Sequence, residues 1–256
     1  MSSIGAELKR WRGIRRLSQL ELATLASTTQ RHVSFIESGR SQPGRVVVIR
    51  LAESLGLSLR ERNDLLTAAG YAPVFTESSL DEAALRPVRS ALDQILRGHL
   101  PYPALIVAPH GRVVAANDAI DVFTEGASPE LLAPPVNVLR LMLHPEGMAH
   151  RVRNFPEWGR HVIEGLRARA RRSPDSRLDD FVDELAQYVP EEPLGAEHVG
   201  FAVPMRLASA DGELRLITTL TSFATATDIT LAELALEAFL PADEATAELL
   251  RIRAKR

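Results

Sequence analysis

Between Ser18 and Pro43 the chain reads SQLELATLASTTQRHVSFIESGRSQP, a pattern that leaves little choice of local fold. Ser18 and Glu21 form a Ser-x-x-Glu capping box, so a helix starts at Gln19. Its expected buried residues are Leu22, Ala23 and Leu25, and the small Ala23 lets a second helix cross close by. Thr28 or Thr29 caps that second helix, whose apolar stripe is Val33 and Ile36. Gln30, Arg31, Ser34 and Phe35 are left pointing away from the core. A Gln-Arg pair at the N-terminus of an exposed, Thr-capped helix suits the reading of base edges in a DNA major groove, where Gln pairs with adenine and Arg with guanine. The plainer alternative is a helical hairpin used only for protein contact, which has no need of that polar N-terminus.

The run resembles the helix-turn-helix of the xenobiotic-response-element/Cro repressor family. The resemblance rests on Leu17-Ser-Gln-x-Glu-Leu-Ala23, then Val33-Ser-x-Ile-Glu37, then Gly39 and Pro43, all in register. It implies that Gln19 holds a backbone phosphate, that Gln30 and Arg31 touch bases, and that Arg12 pairs with Glu37. Arg40, in the polar turn Arg40-Ser-Gln42 that follows a Gly39 C-cap, then falls near the DNA backbone. One departure stands out: the turn between the helices usually carries a glycine, and here it carries Ser27. A non-glycine residue at positive φ costs on the order of 1 kcal/mol.

At 256 residues the chain has room for two domains, each with its own core. It has no cysteine, which excludes disulfides, thiolate metal sites and cysteine nucleophiles. Met1 to Arg16 is charged and lacks an apolar signal-peptide core, and no uncharged run approaches the ~18 residues of a membrane span. A soluble, cytoplasmic protein without membrane insertion is expected. The net charge of −3 is unevenly spread: residues 1–72 hold 11 Lys/Arg against 6 Asp/Glu, a net of +5, and the remainder is −8. A basic head on an acidic body directs attraction for phosphates to one end.

Taken in order, Ser3 to Arg15 reads as a first helix with Ile4, Leu8, Trp11 and Ile14 on one face. Val46 to Leu55 is an apolar helix ended by Gly56, and Ser58-x-x-Glu61 is a second capping box opening a helix that runs to Gly70. Five helices over residues 1–72 make an all-α DNA-binding domain, with a linker over 73–84. From 85 to 256 the order is a helix, a β-hairpin (104–108 and 112–116 about His110-Gly111), several helices, then three strands: 199–207, 214–223 and 229–239. A terminal helix follows over 243–255. That order resembles the PAS fold, α+β with an antiparallel five-stranded sheet. More narrowly, Leu85-Arg-Pro87, Pro103-Ala104, Val113 to Asn117, Asn137-Val-Leu-Arg140 and Trp158 resemble the MmyB-like ligand-binding domain of bacterial transcription regulators. The resemblance implies a sensor for a small lipophilic, fatty-acid-like ligand.

The apolar residues that could line such a site are Leu139, Leu141, Met142, Leu143, Met148, Phe155, Trp158 and Val162, with Phe201, Val203, Met205, Leu216, Thr218 and Leu220 from the closing strands. Strand residues two apart share a face, and methionines adapt to a flexible chain. The same residues would equally serve as ordinary core. A charged head group needs a partner, for which Arg140, His144, Arg151, Arg153 and Asn154 are the candidates. Catalytic, metal and cofactor motifs are missing: there is no His-Glu-x-x-His, no Gly-x-Ser-x-Gly and no phosphate-binding glycine loop, and His144, His150 and His161 do not share a helical face. The expectation is a non-enzymatic, ligand-responsive regulator that binds double-stranded operator DNA as a homodimer, on half-sites ~34 Å apart. The rival is a helix-turn-helix fused to an enzyme or a protein-interaction domain.

Overall fold

The structure, a computed structural model, describes residues 3–80, 82–173, 175–191, 203–223 and 225–256. The chain forms two compact units, one of Met1–Ser79 with Ala224–Ala232, the other of Leu80–Phe223 with Glu233–Arg256. No described helix is long and apolar enough to cross a membrane.

The first unit holds helices α1 (Ile4–Ile14), α2 (Gln19–Leu25), α3 (Gln30–Glu37), α4 (Arg45–Ser54) and α5 (Leu59–Ala68). Both capping boxes close as expected: Ser18 and Ser58 each accept from the backbone of a glutamate three residues on, and Glu21 and Glu61 reach back to the cap. Leu8, Leu22, Val33, Ile36, Leu51 and Leu66 pack into one core. Leu25 does not join it and is 58% exposed. The buried residues at that end are Leu22, Ala23 and Ala26, one face of a helix with 3.6 residues per turn, and Leu25 falls off that face. Gly5 lets α1 lie directly on the end of α3, since a Cβ there would stand 2.6 Å from the Ile36 carbonyl oxygen.

The segment expected as a linker is bonded along part of its length. Asn63 on α5 accepts from Val74 N and Phe75 N and donates to the Phe75 carbonyl. Further on, Asp228 accepts from Thr76 Oγ1 at 3.0 Å and Ser78 N at 3.1 Å. These bonds bring the 73–79 stretch and the segment around Asp228 into the helical unit.

The second unit starts with α6 (Arg86–Gly98), which carries Pro87 in its first turn, where a missing N–H costs nothing. The hairpin β1 (Ala104–Ala108) and β2 (Arg112–Ala116) follows, then α7 (Asp121–Thr124), α8 (Pro129–Leu132), α9 (Val138–Leu143), α10 (Phe155–Arg172) and α11 (Ser176–Ala186). Strands β3 (Met205–Ser209), β4 (Gly212–Ser222) and β5 (Ala235–Pro241) complete an antiparallel sheet of order β2-β1-β5-β4-β3, and α13 (Glu244–Arg253) closes the chain. The five-stranded fold is the one expected, with two corrections. The run 229–239 is not one strand: α12 (Ile229–Glu233) takes its first half, because Asp228 Oδ1 accepts from Thr230 N at 2.9 Å and caps a helical turn. The run 199–207 is strand only from Met205 among the described residues, and Val199 to Ala202, with Phe201, lie outside them.

Candidate nucleic-acid interface and ligand site

In the helical unit α3 presents its polar end outward. Thr29 caps it by accepting from His32 N at 3.1 Å, while Thr28 Oγ1 lies 3.0 Å from His32 Nδ1. Gln30 and Arg31 are exposed, and Ser34 and Phe35 are half-buried beside them. Phe35 carries two cations: the guanidinium of Arg31 stands 5.1 Å from its ring centroid and that of Arg40 5.8 Å. Contacts of this kind are worth about 0.5–1 kcal/mol at exposed sites, so a single ring holds the two arginines on one side of α3. The i, i+4 spacing of Arg31 and Phe35 was the available signal for it.

The other end of α3 is fixed by charge. Glu37 accepts from Arg12 Nε at 2.6 Å and Nη2 at 2.9 Å, and from Gln19 Nε2 at 2.8 Å. Arg12 also donates to the Leu17 carbonyl at 2.8 Å. The Glu37 side chain is 5% exposed and that of Arg12 17%. Burial raises the Glu37 pKa, but the hydrogen bonds from Arg12 and Gln19, with the charges of Arg12 and Lys9, outweigh it and hold the carboxyl below its ordinary range. The expected Arg12–Glu37 pair is therefore present. Gln19 is a third member of it, through one amide proton.

The turn between α2 and α3 passes through Ser27 at φ +50°, the left-handed conformation a glycine would adopt without strain. Thr28 N donates back to the Ala23 carbonyl at 2.9 Å and closes the end of α2.

In the second unit most of the expected apolar wall gathers into one cluster. Leu141, Met142, Leu143, Met148, Trp158, Met205 and Leu216 are buried in it, and Leu139, Phe155, Val162 and Val203 pack against it half-buried. Phe123 and Phe239, not singled out from the sequence, meet edge to face at its base with centroids 4.6 Å apart. Leu220 and Thr218 stand outside it, Leu220 at 61% exposure. Among the described residues the β3–β4 pairing ends at Met205 and Leu216.

The polar residues considered for a head group are mostly engaged elsewhere. Arg140 makes a bidentate pair with Glu184, 2.7 Å at each nitrogen, and lies over the Phe181 ring. That hydrogen bonding with Arg140 is the main force holding Glu184 below the ordinary carboxylate range. His144 meets Tyr188 edge to face at 4.8 Å. Arg151 donates to the carbonyls of Val122 and Phe123 and pairs with Glu125 at 3.1 Å. Asn154 spans Pro204 O and Arg206 N, and Arg153 is exposed. Among the described residues no group of three or more His, Asp or Glu side chains is placed to hold a metal ion.

Comparison with known proteins assigns the two units separately. The family described as "MmyB-like transcription regulator ligand binding domain" matches residues 88–252, and a family described as "Helix-turn-helix domain" matches residues 3–65. Among curated proteins none gives a significant match. Of solved structures, the restriction-modification controller protein C.AhdI from Aeromonas hydrophila is 30% identical over 23% of this chain and 89% of its own, with a TM-score of 0.22. An RNA-binding Light-Oxygen-Voltage receptor aligns over 98% of this chain and 64% of its own, at 13% identity and a TM-score of 0.29.

Proposed function

The chain belongs to the MmyB-like transcription regulators, and from that premise we propose that it binds operator DNA through α3 under the control of a small lipophilic ligand held by its second unit. The observation that carries the reading is the division of α3. One end offers Gln30 and Arg31, exposed behind a Thr29 cap, and the other is anchored through Glu37 to Arg12 and Gln19. A recognition helix needs both a free polar end and a rigid seat.

In this reading Gln30 and Arg31 contact bases, with Ser34 beside them. Gln19, Thr29 and Arg40 approach phosphates, and Phe35 holds the two arginines in place. The protein works in the cytoplasm as a homodimer on two half-sites about one DNA turn apart. Its ligand has a fatty-acid-like apolar chain lying against the wall of Met142, Met148, Phe155, Trp158, Met205 and Leu216, and ligand binding shifts the affinity for DNA. The apolar composition of that wall supports the reading, as does the domain type.

Selection from a random duplex pool by the full-length protein, followed by titration of single-base variants of the selected site, tests the assignment. Arg31→Ala should cost about 1–3 kcal/mol at the selected site and relax the preference at one base pair. Gln19→Ala should weaken binding to all variants alike. An Arg31→Ala protein that keeps both affinity and base preference would refute it.

A further inference from the structure

Alternate residues of β5 share a face, and Phe239 marks which one, because its ring meets Phe123 in the helix-covered cluster. Glu237 therefore projects to the same side. The ladder agrees. Glu237 is paired with Leu105 on β1, a buried member of the same cluster, and with Leu220 on β4. Directly opposed residues of antiparallel strands point the same way. A carboxylate thus stands on the inner face of the sheet, where alternation calls for an apolar side chain.

Its surroundings change across the strand. Leu105 and Phe239 are buried, whereas Leu220 and Thr218, past the end of the β3 pairing among the described residues, are exposed. Glu237 is half-buried and sits on the margin between the packed and the open part of the face. Leu105, Leu220, Ala235 and Phe239 beside it on that face have no side-chain donor, and the hydroxyls of Thr218 and Ser222, diagonally across on β4, make no bond to it. Among the described residues Glu237 has neither a hydrogen bond nor an ion pair. Burial alone lifts its pKa to about 7, so close to neutral pH it is divided between a proton and an uncompensated charge.

We infer that Glu237 reads the polar end of the ligand, and that this end is a protonated amine on a lipophilic chain. The inference rests on the lipophilic-sensor reading and deepens it. An ammonium supplies the countercharge and the donors that the carboxylate lacks. A ligand carboxylate at the same place would meet like charge. Arg140 and Arg151, cations that could have offset it, are committed to Glu184 and to Glu125 with two backbone carbonyls. Leu220, exposed and directly opposite Glu237, offers the chain an apolar contact.

Dodecylamine, dodecanol and dodecanoic acid, titrated into the full-length protein below their micelle concentrations at pH 7.5, give three heads on one tail. The amine should bind at least about tenfold tighter than either of the others. Glu237→Gln should erase that preference while leaving dodecanol binding within about twofold, which also shows that the variant folds. Leu220→Lys, at an exposed position directly opposite Glu237, should erase it as well by supplying an internal ammonium. An acid that binds as tightly as the amine, or an amine preference that survives Glu237→Gln, would overturn the assignment and leave the lipophilic-sensor reading standing. If none of the three binds, both fall.

Discussion

Replacing Glu37 with glutamine keeps the shape of the side chain and removes its charge. In the native arrangement its two carboxylate oxygens accept three hydrogen bonds, two from Arg12 and one from Gln19. A glutamine keeps one acceptor and turns an NH2 toward those donors. Arg12, 17% exposed, would then hold a charge without a counter-ion, left with the Leu17 carbonyl and at most the one amide oxygen. Breaking a buried pair on one side costs about 3–5 kcal/mol, against about 0–1 for an exposed pair. The remaining Leu17 bond and the partial exposure of Arg12 place the expected loss near 3 kcal/mol, at the low end of the buried range. For a unit of this size each kcal/mol moves the thermal midpoint by about 4–8 °C, which gives a drop of about 12–24 °C.

The chain has two tryptophans, and Trp11 is buried in the helical unit. In a Trp158→Phe background its fluorescence reports the melting of that unit within the whole protein. Arg12→Ala should be about as harmful, and the double variant clearly less than additive. A midpoint shift under about 4 °C, or fully additive losses, would refute the reasoning. The sign with pH is fixed as well. Glu37 is held below its ordinary 4.5, so its contribution is complete above that value and is lost as the pH falls through the folded-state pKa. Glu37→Gln should therefore flatten the acid limb of the stability curve.

Ser27→Gly should stabilise the helical unit by about 0.5–1 kcal/mol, because Ser27 occupies φ +50° and glycine removes that strain at a smaller entropic cost; a lower thermal midpoint would contradict it. Glu237→Gln should stabilise the second unit at pH 8 and leave it unchanged at pH 4. The carboxyl is raised from 4.5 to about 7, so ionisation costs the folded state progressively across that window and by at most about 3 kcal/mol above it; equal urea midpoints for wild type and variant at pH 8 would contradict this.

The parts of the fold that are legible in the sequence are those set by neighbours along the chain. Ser18 with Glu21 and Ser58 with Glu61 act across three residues, and both boxes close. The His110-Gly111 turn likewise joins β1 to β2, because turn chemistry is local. Arg12 and Glu37, 25 residues apart, are paired only through a family resemblance, as is the phosphate role of Gln19, and nothing in the sequence places the Gln19 amide against Glu37. The run from Ile229 to Phe239 reads as one strand by composition. Asp228 decides otherwise, and its role as a cap is set in part by Thr76 and Ser78, about 150 positions away. Leu220 lies on the expected strand and face but is exposed, because burial is set by tertiary structure and not by neighbours along the chain. The face of Glu237 is not legible for a related reason: it is settled by the register of β5 against β1 and β4.

Coupling between ligand and DNA is measured most directly by the affinity of the full-length protein for its selected operator, with and without a saturating twelve-carbon probe that binds it. Regulation by ligand requires the two affinities to differ by about 5-fold or more, the range of ordinary allosteric coupling, and the operator to shift the probe's affinity by the same factor. Identical operator isotherms, with the probe shown to be bound, would contradict the account.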